Sequence, residues 1–422
     1  MSEKAVTTKP ADDPAFTLPA SLASLSLPLC GGGLLALVVG VALGMKTDGG
    51  SMFAAHAYLT AFLYCVSIVT GTLFFVLIQH LSRAGWSVVV RRVAELMMVM
   101  IVPMAVLFIP ILVFTYSGNL FQWVGHTDAQ GVVQSFGDVH HVPKTTWDEK
   151  DNWLNPKWFT IRSVIYLVIW SGIALWYFRR SRLQDETGEV TLTENMQARS
   201  GPAVIAFSFC TTFAAFDWGM SLAPMWFSTM FGVYFFTGGI LSAHCAIAAM
   251  TFLLQKQGAI RDEVSIEHYH DLGKLIFGFI CFWGYISFSQ YMLIWYANMP
   301  EETVWFFARQ TGTWGWISLS LIFLHWGLPF LGTMSRHVRR RPGLVFFWSI
   351  YILVMHFVDM YWIVMPEAKL GTGEGMGIAS SLLCVVGMGG LLFGLVLILA
   401  GQTKIIPVRD PRLRESIAFE NI

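Results

Sequence analysis

The chain has 422 residues, of which 55% are hydrophobic and only 13% are Asp, Glu, Lys or Arg, and its mean hydropathy is +0.58. An average globular domain carries about 25% charged residues. A soluble body of this length cannot cover its surface with so few, which excludes that class. The 27 Lys and Arg balance 27 Asp and Glu, so no basic excess exists to attract nucleic acid or an acidic ligand.

Residues 1–27 are rich in Pro, Ser and Thr and predict a tail. Lys9, the lysine nearest the first apolar run, is too distant for the charged region of a cleaved signal peptide. Stretches long enough to cross about 30 Å of hydrocarbon follow at 28–45, 51–80, 93–116, 160–178, 202–224, 226–254, 271–297, 313–335, 343–365 and 376–400. The expected fold is therefore an all-α integral membrane protein. It has ten transmembrane helices over residues 28–400, with helices 2–5 and 6–9 as two four-helix bundles and the rest peripheral. Pro103 and Pro110 predict a kink in the third helix, tolerable where neighbours re-satisfy the freed carbonyls. Residues 401–422 form a second tail. The six cysteines, Cys30, Cys65, Cys210, Cys245, Cys281 and Cys384, each fall in a separate apolar segment. That spacing suits packing rather than a disulfide framework or a metal site.

Orientation follows from Lys and Arg. The two tails and the 81–92, 179–201, 255–270 and 336–342 loops carry 19 of them, against 6 in the alternate loops, which predicts cytoplasmic termini. The Arg336, Arg339, Arg340 and Arg341 run belongs to this signal. On the opposite, periplasmic face the 117–159 loop holds His126, Asp128, Asp138, His140, His141, Asp148, Glu149, Asp151 and several Trp. A connection of that length in a compact protein suits a docking surface or a lid.

An ionisable residue at membrane depth costs about 2.5–3.5 kcal/mol and persists where it is paired, wet or used. The topology sorts these residues into two sets. His56, Asp217, His356 and Asp359 lie in the outer half, with His356 and Asp359 three apart on one helix face. Glu95, His244, His268, His270 and Asp271 lie toward the inner face, and His325 sits near the middle of helix 8. A structural ion pair is the plain alternative for the two aspartates, but no cation is expected deep in the outer half to make one. Glu95 is within a turn of Arg91 and Arg92, so an interfacial ion pair competes with a relay role. Single histidines such as His244 and His325 are more often packing residues. His268 and His270, at spacing two, face apart and do not suggest a metal site. For haem, His56 and His356 are the one depth-matched pair of ligands. Trp218, Trp226, Trp305, Trp348 and Trp362, near helix ends, read as interface anchors. Gly371, Gly373, Gly375 and Gly377 fit a flexible connection better than a phosphate loop.

The stretch Phe216-Asp217-Trp218-Gly219-Met220-Ser221-Leu222-Ala223-Pro224-Met225-Trp226 and its continuation through Met230, Phe231, Gly232 and Tyr234 resembles a signature of the NrfD-like (polysulfide reductase membrane subunit) family. So do His270, Asp271, Lys274, Trp283, Tyr285, Phe288, Ser289, Gln290, Trp295, Tyr296, Asn298, Pro300, Glu301 and Glu302. These narrow the resemblance to the second NrfD-like subunit of bacterial alternative complex III. It extends from about helix 2 to helix 10. The resemblance implies a multi-pass subunit of a respiratory quinol:electron-acceptor oxidoreductase in the bacterial inner membrane. The partners it implies are a second NrfD-like subunit, a peripheral iron–sulfur subunit, multihaem cytochrome c subunits and a terminal oxidase. Quinone or menaquinone would be the diffusible ligand. Haem and iron–sulfur clusters would reside on partner subunits, with no covalently bound cofactor and no metal here. An outer His and two Asp are the group types that the family places around quinol. Asp217 matches through its motif, whereas His56 and Asp359 are selected by depth.

Oxidising a quinol releases two protons, so such a site needs a base within hydrogen-bond reach of the hydroxyl. The inner set would load protons from the cytoplasm, with His325 and hydroxyls between the sets. Two other classes stand beside this reading. One is a non-catalytic scaffold that docks partners through the 117–159 loop. The other is a solute transporter, disfavoured because the helices show no matching pair of breaks.

Overall fold

The computed structural model describes residues 13–47, 49–124, 126–127, 133–134, 150–368 and 375–421. Asp128, Asp138, His140, His141, Asp148, Glu149, Gly371 and Gly373 lie outside the described residues. Among the described residues, ten helices are long and apolar enough to span a membrane: α1 Ser26–Gly44, α2 Gly50–Leu81, α3 Val88–Tyr116, α4 Pro156–Thr187, α5 Val190–Leu222, α6 Phe231–Lys256, α7 Ile266–Ala297, α8 Gly312–Met334, α9 Pro342–Ala368 and α10 Gly377–Ala400. The chain is an all-α integral membrane protein, the class in which helices satisfy every backbone group within the hydrocarbon. Among the described residues of the α3–α4 connection, His126–Thr127 pairs with Val133–Gln134 as a two-residue antiparallel ladder.

Helices α2–α5 pack as one group and α6–α9 as a second, joined across α2 and α6. Buried residues make up 78% of the apolar window of α2 and 83% of that of α6, against 22–44% in the other spans. These two therefore form the centre while the others face lipid. Small residues allow it. A Cβ on Gly71 would stand 2.5 Å from the Gly239 carbonyl oxygen, so the α2 and α6 backbones touch at this crossing. Gly71→Ala is expected to force the helices apart at a cost of about 1–3 kcal/mol, read as a lower unfolding temperature of the purified protein. Gly278→Ala, with open space around it, should leave that temperature unchanged. Helix α1 lies outside both groups and zips against α10, with Gly33 on the Gly387–Leu391 backbone and Gly40 on Cys384.

Local sequence explains the ends and interruptions. Asn155 caps α4 by accepting from the Trp158 N–H at 2.9 Å, and Gly188, at φ 73°, closes it. Helix α3 is broken into Val88–Met98, Ile101–Leu107 and Ile109–Tyr116, as Pro103 and Pro110 predict. Helix α8 departs from an ordinary span, because Leu321–Gly327 is a π-helical turn. Pro329 lacks the N–H that would reach the His325 carbonyl, and the backbone widens just before it.

The connection before α8 contains an amphipathic helix, Pro300–Gln310, that buries Trp305, Phe306 and Arg309. Trp226 stacks on Trp305 at 4.2 Å, and the Arg309 guanidinium lies over Trp305 at 3.6 Å. Arg309 also pairs with Glu367 at 3.0 Å. Trp218, Trp226, Trp305 and Trp362 are thus internal packing residues rather than interface anchors: all four are buried, and their hydrogen bonds go to protein, as in Trp218 to Ser163 at 2.9 Å and Trp362 to Ser318 at 2.7 Å. The C-terminal tail is an ordered strap. Ile405 bonds Phe16, Asp410 meets Arg91 at 2.5 Å, and Ser416 donates to the Trp86 carbonyl at 2.6 Å.

Candidate functional site

The four outer residues do not form one cluster. Asp217, fully buried near the end of α5, is clamped by Arg162 of α4. Nε reaches Oδ2 and Nη2 reaches Oδ1, each at 2.8 Å. Trp153 and Tyr166 donate to the same carboxylate at 3.0 and 2.9 Å, and the guanidinium lies 4.0 Å over the Trp153 ring. The expectation that no cation reaches this depth is overturned for Asp217. Arg162, at the helix edge by sequence, reaches inward because its long side chain spans the gap between α4 and α5. Asp217 is a saturated ion pair that fastens these helices, with no free lone pair directed at a ligand.

His56 is engaged at one ring nitrogen, its Nδ1 lying 2.7 Å from the Met52 carbonyl one turn back. It is eleven residues before Ser67, the α2 residue that touches His356. At 1.5 Å per residue that is about 16 Å along the helix. His56 and His356 therefore cannot grip one haem, which removes the candidate pair that depth alone suggested.

Asp359 differs. It is fully buried, and among the described residues no Lys or Arg pairs with it. Tyr234 of α6 donates to Oδ1 in a short bond, and Trp283 of α7 donates to Oδ2 at 3.3 Å. His356 Nδ1 is 3.9 Å from Oδ2 and has no hydrogen-bond partner. The other ring nitrogen, Nε2, lies 2.8 Å from Ser67 Oγ, and Ser67 gives its one hydroxyl proton to the Tyr64 carbonyl at 2.8 Å. Ser67 can then only accept from the ring, so Nε2 carries the proton. The Nδ1 lone pair thus faces the Asp359 carboxyl. The network assigns this tautomer. A proton on Oδ2 has an acceptor waiting at a distance that one small rotation or one water closes.

The glycine at 238 makes room for this pair, since a Cβ there would stand 3.2 Å from His356 Cε1 and 3.5 Å from Asp359 Oδ2. His325, in the π turn of α8, packs edge-on to Trp283 at 4.3 Å, and neither of its ring nitrogens has a partner among the described residues. Asp359, His356, Tyr234, Trp283, Ser67 and His325 form one polar cluster within α6–α9 and the adjoining face of α2.

The inner set is dispersed, correcting the expectation of a common proton-loading region. Glu95 lies within a buried ion network in which Arg91 meets Glu95 at 3.2 Å, while Arg92 joins Glu95 at 2.9 Å to Asp185 at 2.7 Å. His268 is a capping residue. Its Nδ1 accepts from the Ser265 N–H at 3.0 Å and its Nε2 meets the Ser416 carbonyl at 3.0 Å. Asp271 pairs with Lys274 and Asn421. His244 bonds the Ile240 carbonyl at 2.8 Å between Phe75 and Phe279 and is a packing residue. His270 keeps a buried Nδ1 without a partner.

Tyr234, Trp283 and Ser67 were given no role by sequence reasoning, although two of them stand in the motif stretches. A tyrosine and a tryptophan in apolar helices carry no periodic signal, and only the helix rotation reveals that both face Asp359. No protein-family model and no curated protein matches this chain.

Proposed function

We propose that the chain is the membrane subunit of a quinol-oxidising electron-transfer complex in the bacterial inner membrane, with cytoplasmic termini, and that it carries protons through the α6–α9 group rather than contacting quinol. The motif resemblance supports the complex. Its expected partners are a second NrfD-like subunit, an iron–sulfur subunit, multihaem cytochrome c subunits and a terminal oxidase, with quinone as a ligand of the assembly.

One observation carries the proton role: a fully buried carboxyl without a counter-cation, opposed by an unprotonated histidine nitrogen. Burying an ionised carboxylate without a partner is costly, so such a group persists where it is used. Asp359 and His356 have 0% exposure, which favours proton transfer over contact with a diffusing ring. In this reading Asp359 takes a proton, passes it from Oδ2 to His356 Nδ1, and Tyr234 and Trp283 hold the carboxyl in place. His325, packed edge-on to Trp283 in the same cluster, is the next group along.

The test is proton release per quinol by the assembled complex in liposomes. Asp359→Asn, with normal assembly and haem content, should lose the transmembrane component and slow coupled turnover by at least about 10²-fold, the usual scale of a lost acid–base group. An assembled variant with full turnover and unaltered proton stoichiometry would overturn the proposal in favour of a scaffold.

A further inference from the structure

The tautomer of His356 is decided from outside the α6–α9 group. Ser67 belongs to α2, the central helix of the other group, and is buried. Tyr64, Ser67 and Gly71 share one face of that helix at spacings of three and four, and this face lies directly on α6. A Cβ on Gly239 would stand 2.7 Å from the Ser67 carbonyl oxygen and 3.2 Å from Ser67 Cβ, one turn from where a Cβ on Gly71 would meet Gly239. Contact between the two backbones therefore sets where the Ser67 hydroxyl lies.

The same face of α2 grips α9 twice. Tyr64 donates to the Leu353 carbonyl at 3.2 Å, and Ser67 Oγ meets His356 Nε2 at 2.8 Å. Leu353 and His356 are three apart, so both holds fall on one turn of α9. The Tyr64 carbonyl takes the Ser67 proton, which leaves Oγ only its lone pairs to offer the imidazole. Without that hydroxyl, a proton on Nε2 would be buried with no acceptor. The ring would then be better served by a proton on Nδ1, aimed at Asp359 Oδ2 3.9 Å away. In that form it offers the carboxyl no lone pair and cannot take its proton.

We infer that Ser67 is a positioning residue for proton transfer. By accepting from Nε2 it keeps the Nδ1 lone pair of His356 turned to Asp359, so that the Oδ2–H bond can break as an Nδ1–H bond forms. The inference rests on the proton role proposed above. It gives α2 control over a site built mostly by the other helix group.

Nitrogen-15 NMR of the full chain in liposomes, labelled at histidine, tests it, because protonated and unprotonated nitrogens of a neutral imidazole resonate far apart. The His356 signals are those lost in His356→Gln. In the parent protein they should place the proton on Nε2. In Ser67→Ala, which removes one atom and leaves the contact with Gly239 intact, the balance should move about tenfold toward Nδ1, the effect of orphaning one buried donor. In the assembled complex the same variant should slow coupled turnover about tenfold, with KM for quinol unchanged. Thr60→Ala removes another buried hydroxyl of α2, one that bonds the His56 carbonyl, and should move neither reading. A parent ring protonated on Nδ1, a Ser67→Ala ring that keeps its proton on Nε2, a switched ring with full turnover, or an equal change in Thr60→Ala would each overturn the inference. The proton role itself fails separately, on Asp359→Asn.

Discussion

Arg162→Met lowers the stability of the folded protein by about 3–5 kcal/mol, because it strands the Asp217 carboxylate at 0% exposure with two neutral donors and no counter-charge. Thermal unfolding of the purified protein should show it, together with a reduced yield of folded protein. Removing both partners as Arg162→Met/Asp217→Leu recovers most of the loss, since a buried pair replaced by apolar groups is often near neutral. Asp359→Asn behaves oppositely. Its amide oxygen still accepts from Tyr234, only the 3.3 Å contact with Trp283 is forfeited, and stability shifts by no more than about 1 kcal/mol. Two buried aspartates thus divide into one that a counter-cation fastens and one held by neutral donors alone. An Arg162→Met protein as stable as the parent would refute that division.

Arg92→Met is the second large effect. Its guanidinium, fully buried, joins Glu95 of the same helix to Asp185 of α4 and also touches Ser181 Oγ at 3.1 Å. Loss of the cation leaves the buried Glu95 carboxylate and the partly buried Asp185 carboxylate close together with Arg91 alone to offset them, and Arg91 is already shared between Glu95 and Asp410. The expected cost is again about 3–5 kcal/mol. Arg92→Lys should rescue little, because a point charge cannot reach both acids as the planar fork does. The loss should change little between low and high salt, since counter-ions do not reach a buried network. A strong salt dependence of the unfolding temperature in Arg92→Met would show instead that the network is open to solvent.

Ten spans, the prolines that break α3 and the division into two four-helix groups are legible in the amino-acid sequence. Apolar runs of membrane length leave the backbone no alternative to helices, and a proline acts on its own turn. The π turn of α8 is within reach of the same local reasoning, through Pro329 four residues after His325. Charge partners are not legible in this way. Arg162 and Asp217 are 55 residues apart, and Arg91 and Asp410 are 319 apart. A side chain at a helix edge gives no sign of the direction it takes.

Depth follows from position along a chain that must cross a layer of known thickness, so the sequence alone placed Asp217, His356 and Asp359 within spans, though not the arginine head that reaches Asp217 from a helix edge. Rotation about each helix axis is set by packing, by contacts such as Gly71 on Gly239 and Gly238 beside His356. The tertiary structure alone therefore decided that Asp217 faces an arginine, that Asp359 faces a tyrosine, a tryptophan and a histidine lone pair, and that His56, about 16 Å along α2 from His356, faces neither.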